Sequence, residues 1–180
     1  SSDVCSSDLV GSRNHENIAS GRGFIWSRTI PLLKDTLLIG SGPDTFPIAF
    51  PQSDYVGKAN NCKTPYTLIE KPHNLYLQIG VQTGMISLIA FLCFYVIYLI
   101  KSFPLYSKLF RRKSFNDISY IEKAGLGCML SSISYMISGF FNDSSLQTSP
   151  TFWVLIGMGM MINYSLTDER KGEYYAGKKR

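Results

Sequence analysis

The stretch Leu75–Ile100 constrains this chain most. It is almost free of charge, and from Met85 to Ile100 its only ionisable side chains are tyrosines and Cys93. A helix over the whole stretch reaches roughly 39 Å, longer than a hydrocarbon core of about 30 Å, so its first turns are expected to stand outside a membrane. Gly80 and Gly84 permit close packing or a bend there. Ala124–Phe141 and Thr151–Leu166 are two further apolar runs at the short end of spanning length. Gly125, Gly127, Ser131, Ser132 and Ser134 in the first, with Gly157 and Gly159 in the second, suit tight helix–helix contact. The apolar residues gather after residue 74 and the polar ones before it, so a mean hydropathy near zero describes neither half.

Positive charge orients the runs. Lys101, Lys108, Arg111, Arg112 and Lys113 follow the first, and Arg170, Lys171, Lys178, Lys179 and Arg180 follow the third. Asn142–Ser149, between the second and third, has no Lys or Arg. The positive-inside rule then places 101–123 and the basic tail 167–180 in the cytoplasm, and 10–73 outside. The net charge of +5 is explained by this topology, and the spans exclude a soluble or nucleic-acid-binding role. The four cysteines are too scattered for a metal or redox motif.

The first nine residues, Ser-Ser-Asp-Val-Cys-Ser-Ser-Asp-Leu, lack the pattern of a signal peptide. They look like translated adapter read-through, and the natural chain is expected to begin near Val10, part-way through a longer protein. Phe24–Leu33 alternates apolar with polar and basic positions, which predicts a short amphipathic helix at an interface, kinked at Pro31, with Trp26 at headgroup level. Gly40-Ser41-Gly42-Pro43 reads as a turn needing positive φ, since no Gly-Lys-Ser/Thr of a phosphate loop follows. Pro47–Lys71 has no clear period and reads as an exposed loop.

At the boundary of the two halves stands Glu70-Lys-Pro-His-Asn-Leu-Tyr-Leu-Gln78. Pro72 keeps Lys71 out of helix, and Asn74 is a good N-cap for the run that follows. His73 is therefore expected at the mouth of a helix on the outer face, where an imidazole exchanges protons near neutral pH.

Arg22 with the stretch to Ile30, then Gly40-Ser41-Gly42 with Phe46, then His73-Asn74-Leu75-Tyr76-Leu77-Gln78 and Gly84, resembles the C-terminal half of the O-antigen ligase and polymerase family, over roughly Ser20–Asn163. The resemblance implies an all-α integral membrane protein: three spans (about 75–100, 124–141 and 151–166) of a larger GT-C-like bundle, with an outward loop domain of short amphipathic helices. It implies the bacterial inner membrane, further helices before this chain, and no activity for this stretch alone. The implied reaction moves an oligosaccharide from an undecaprenyl-pyrophosphate carrier to an acceptor glycan or glycolipid, without metal or other cofactor. No Asp-x-Asp is present, which agrees with a metal-free route.

In that reading His73 is the general base, Arg22 contacts the pyrophosphate, and Arg28 and Lys71 are additional cations for it. Asn74 and Asp143 are assigned to the acceptor pocket. Each has a structural alternative: helix entry for His73, headgroup or membrane-lipid contact for the arginines, turn chemistry for Asn142-Asp143. The alternative function is a transporter or flippase subunit binding anionic glycolipid. The span interiors offer only Ser, Tyr and Cys where a transporter calls for ionisable groups.

Overall fold

The computed structural model describes residues 21–62, 64–107, 109, 118–145 and 147–178. Within them the chain is all-helical: α1 (Arg22–Asp35), α2 (Phe46–Ala49), α3 (Tyr55–Asn61), α4 (Leu75–Thr83), α5 (Met85–Tyr106), α6 (Tyr120–Ser138) and α7 (Ser149–Lys178). The first nine residues and the cations Lys108, Arg111, Arg112 and Lys113 lie outside the described residues. The chain forms two compact units, one of residues 1–90 and 139–144, the other of 91–138 and 145–180.

In the first unit, α1 starts at Gly21, whose φ of 82° and 2.5 Å approach to the Asn61 carbonyl leave no room for a side chain. The helix runs through Pro31 and ends at Thr36, whose amide donates to Leu32 O. Its apolar face is turned inward. Phe24 and Ile25 join Phe46, Phe50, Ile69 and Val81 in one core, with Phe24 edge-on to Phe50 at 6.5 Å. Each such ring contributes roughly 1.5–3 kcal/mol by leaving water.

This corrects two expectations. Trp26, expected at headgroup level, is half-buried and held by the protein: its Nε1–H donates to Pro72 O at 2.9 Å and its ring lies 6.2 Å from Phe141. Pro47–Lys71 is not simply loop, because α2 and α3 form within it. Pro47 suits the first turn of α2, and Asp54 caps α3 by accepting from Gly57 N at 2.8 Å.

The expected continuous helix over 75–100 is instead two. Asn74 caps α4 as predicted, accepting from the amides of Tyr76 and Leu77. At Gly84 the backbone reaches φ 94°, which ends α4 before α5 begins at Met85. α5 is the helix among the described residues that is long and apolar enough to cross a membrane, and only 22% of its most apolar window is buried. That outward-facing apolarity separates it from the core helix of a water-soluble domain. α6 and α7 are long enough, at 19 and 30 residues, but fall short in apolarity: Gly, Ser, Glu122 and Lys123 dilute the first, and Ser149, Pro150, Thr151 and Asn163 dilute the apolar part of the second. The expected tail thus begins as a continuation of α7.

In the second unit α6 and α7 pack against one another. A Cβ on Gly125 would meet the Tyr106 hydroxyl, and one on Gly159 the Tyr98 hydroxyl, so these two glycines admit tyrosines from α5. Gly127 and Gly157 face open space, and Ser131 and Ser134 are exposed, so the small-residue stripes serve packing at only some positions. Tyr106 donates to Asn163 Oδ1 at 2.6 Å, and Asn163 Nδ2 to Ser102 Oγ at 2.7 Å. Asn163 is a buried amide that the sequence reading passed over.

Candidate functional site

The site is built in the first unit, where the entry to α4 meets the turn after α6. Leu75 N donates to Gly139 O at 2.7 Å, Asn74 Nδ2 to Phe140 O at 3.0 Å, and Ser144 N to Gln78 Oε1 at 2.7 Å. Tyr76 packs on Phe140 at 4.8 Å. The first of these satisfies the Leu75 amide that the Asn74 cap leaves free, and together they lock residues 139–144 beside α4.

His73 is held between buried Pro72 and this lock, at φ 51°. A left-handed conformation costs a non-glycine residue roughly 1–2 kcal/mol. Such strain recurs at functional positions, where the surroundings hold a side chain in one direction. The direction here is set by Asp143: Nδ1 and Oδ2 lie 2.9 Å apart. The carboxylate is nearly buried and the imidazole half-exposed. With Nδ1–H donating to the carboxylate, Nε2 of the neutral ring carries the lone pair. Asp143 Oδ1 is buried and has no hydrogen-bond partner among the described residues, so the contact this carboxylate makes at Oδ2 is the one to His73.

His73 also lines a cleft of about 490 Å³ with Arg22 and Lys71. Glu70, Thr67 and Asn61 supply its other polar walls, and Ile25 and Cys62 its apolar ones. Among the described residues neither Arg22 nor Lys71 makes an ion pair. Gln52 fixes the wall that carries Lys71: its Nε2 donates to Ile69 O at 2.8 Å and its Oε1 accepts from Ile69 N at 3.2 Å. Burial pushes the Cys62 thiol above its ordinary range, partly offset by Lys58.

The fold thus brings Arg22, Lys71 and His73 together and puts Asp143 on the histidine. It does not bring in Arg28 or Asn74. Arg28 donates from Nε and Nη2 to Asp54 Oδ2 at 3.2 and 3.1 Å and covers the Phe24 ring at 4.7 Å. The Asn74 side chain is taken up by capping α4 and holding Phe140. Gln52 and Glu70 were missed, and nothing in the local pattern distinguishes them from other loop residues.

Taken together, the described residues combine an all-helical fold, one helix long and apolar enough to cross a membrane, and a cleft that carries Arg22, Lys71 and His73, the class of arrangement found in a membrane-associated protein. The family model for O-antigen ligase matches residues 3–92, and the chain belongs to that family. The matched stretch includes α1 to α4, the first turns of α5, and Arg22, Lys71 and His73; Asp143 lies beyond it. No curated protein and no solved structure matches the chain.

Proposed function

We propose that the chain is part of a glycosyltransferase that moves an oligosaccharide from undecaprenyl pyrophosphate to an acceptor glycan on the outer face of the bacterial inner membrane. In this reading α5, α6 and α7 are spans of a larger bundle. The observation that carries the proposal is the position of His73, at once on Asp143 and on the cleft that holds Arg22 and Lys71.

The acceptor hydroxyl gives its proton to His73 Nε2 as its oxygen attacks the anomeric carbon. The bond from that carbon to the carrier's phosphate oxygen breaks, and the electron pair leaves on the pyrophosphate. Arg22 holds phosphate oxygens with a fork that never loses its charge, and Lys71 adds a point charge. Asp143 faces the imidazolium that forms. General-base catalysis of this kind contributes roughly 10²–10⁴-fold.

The test is complementation. The full-length parent and its His73→Asn variant are expressed in a host lacking its own surface-polysaccharide ligase or polymerase. Asparagine tolerates the left-handed backbone at this position. Restoration of glycan by the parent and its loss in the variant, at equal membrane abundance, supports the reading; equal restoration by both overturns it.

A further inference from the structure

The sequence assigned membrane contact to α1, yet α1 spends Phe24 and Ile25 on the interior and bonds half-buried Trp26 to Pro72. The apolar surface left in the open comes just after it. Leu37, Leu38 and Ile39 are consecutive large aliphatic residues, and all three are exposed, the last two by 74% and 84%. Three such neighbours in water are an error in a soluble domain unless they serve a contact.

The tip is held firmly. Leu37 O accepts from Met85 N at 3.2 Å, Ser41 N donates to Val81 O at 2.8 Å, and Gly42 N to Gln82 O at 3.0 Å. Gly40 lies so close to the α4 terminus that a Cβ would collide with Gln82 O, and a Cβ on Gly84 would stand 2.9 Å from Leu38 O. Residues 37–42 therefore run backbone on backbone along the junction of α4 and α5. Met85, bonded to the tip, is the first residue of the helix of membrane-crossing length. Ile86 and Ile89 in its first turns are exposed as well, and Lys34 in the last turn of α1 places a cation shortly before the tip.

We infer that Leu37-Leu38-Ile39 is a membrane-inserted tip whose side chains enter the hydrocarbon of the outer leaflet beside the start of α5. Its occupant is lipid acyl chain, because the tip is bonded to the residue where the apolar helix begins and is continuous with exposed Ile86 and Ile89. Lys34 suits the anionic headgroups above such chains. The inference rests on α5 crossing a bilayer, a part of the reading proposed above.

The experiment is spin-label accessibility on the full chain in phosphatidylethanolamine–phosphatidylglycerol vesicles, with the native cysteines replaced by alanine. Nitroxides are placed singly at Leu38→Cys and Ile39→Cys, at Phe94→Cys on α5, and at Ser53→Cys on an exposed turn. Collisions with oxygen, which partitions into hydrocarbon, are compared with collisions with a water-soluble nickel chelate. The expected oxygen-to-nickel ratio at both tip positions approaches that of Phe94 and stands several-fold above that of Ser53. A tip ratio equal to that of Ser53, with Phe94 in lipid, overturns the inference and leaves the span intact. Labels at both tip positions shielded from both reagents overturn it in favour of a protein neighbour. A water-like ratio at Phe94 overturns the span, and the tip assignment with it.

Discussion

His73 Nδ1 stands 2.9 Å from Asp143 Oδ2, although the two residues lie on opposite sides of α4, α5 and α6 in the chain. The pairing makes the entry to α4 and the turn after α6 one object. An imidazole on a flexible turn samples many directions; one bonded at Nδ1 to a nearly buried carboxylate presents Nε2 in a defined one.

Asp143→Ala in the full-length parent is expected to lower the rate of glycan transfer by roughly 10–10²-fold, less than His73→Asn, for which the loss is about 10²–10⁴-fold. Asp143→Asn, whose amide oxygen still accepts from Nδ1, is expected to retain more activity than the alanine variant. Initial rates in membrane vesicles, normalised to protein abundance, measure the order. Equal activity of Asp143→Ala and the parent ends the pairing's role.

Arg22→Ala is expected to raise the donor KM about 10-fold or more, since hydrogen bonds to charged groups contribute roughly 1.5–3 kcal/mol each. Arg22→Lys keeps the charge and loses the fork, and falls between. Arg28→Ala is expected to leave the donor KM near that of the parent, because its guanidinium is engaged by Asp54. Titrating lipid-linked donor against each variant checks all three.

Asp54→Ala removes both the α3 cap and the partner of Arg28. Loss of a cap costs about 1 kcal/mol and a partly exposed ion pair up to about 1 kcal/mol, so the expected destabilisation is roughly 1–2 kcal/mol. Denaturation in detergent, read against Arg28→Ala and the double variant, separates the two contributions.

Gly40→Ala and Gly84→Ala test the junction of α4 and α5. The first forces a Cβ into Gln82 O, and the second adds a Cβ at φ 94°. Each is expected to cost about 2 kcal/mol or more. Thermal unfolding that leaves either variant as stable as the parent contradicts the close approach.

Cys62 is expected to react with iodoacetamide more slowly than the same thiol in the unfolded chain at neutral pH, because burial disfavours the thiolate. The sign of the linkage follows. As pH rises through the ordinary thiol range the unfolded chain releases its proton first, so this group's contribution to stability falls until the folded thiol also ionises. Alkylation rates across an alkaline pH series, folded and in denaturant, check it.

Much of the fold was legible because its signals are local. An apolar run, a proline before it and an asparagine cap marked the start of α4 and the apolar body of α5, while the break at Gly84 was expected only as a possible bend in one continuous helix. The cleft was partly legible: His73 stood out by type and position, Arg22 by the family resemblance and Lys71 by its place beside His73, and all three line one cleft.

The rest depended on distances between residues remote in the chain. Residue types and spacing determined, by themselves, an apolar helix of membrane-crossing length and a histidine at its approach; the all-helical fold seen over the described residues was what the family resemblance implied. Only the tertiary structure decided that Arg28 belongs to Asp54, that Asn74 serves Phe140, that Trp26 bonds Pro72, and that Asp143 orients His73. The reason is physical: helix, cap and turn preferences are set by neighbours a few positions away. The partner of a side chain is set by which segments the core packs together, and that choice has no local signal.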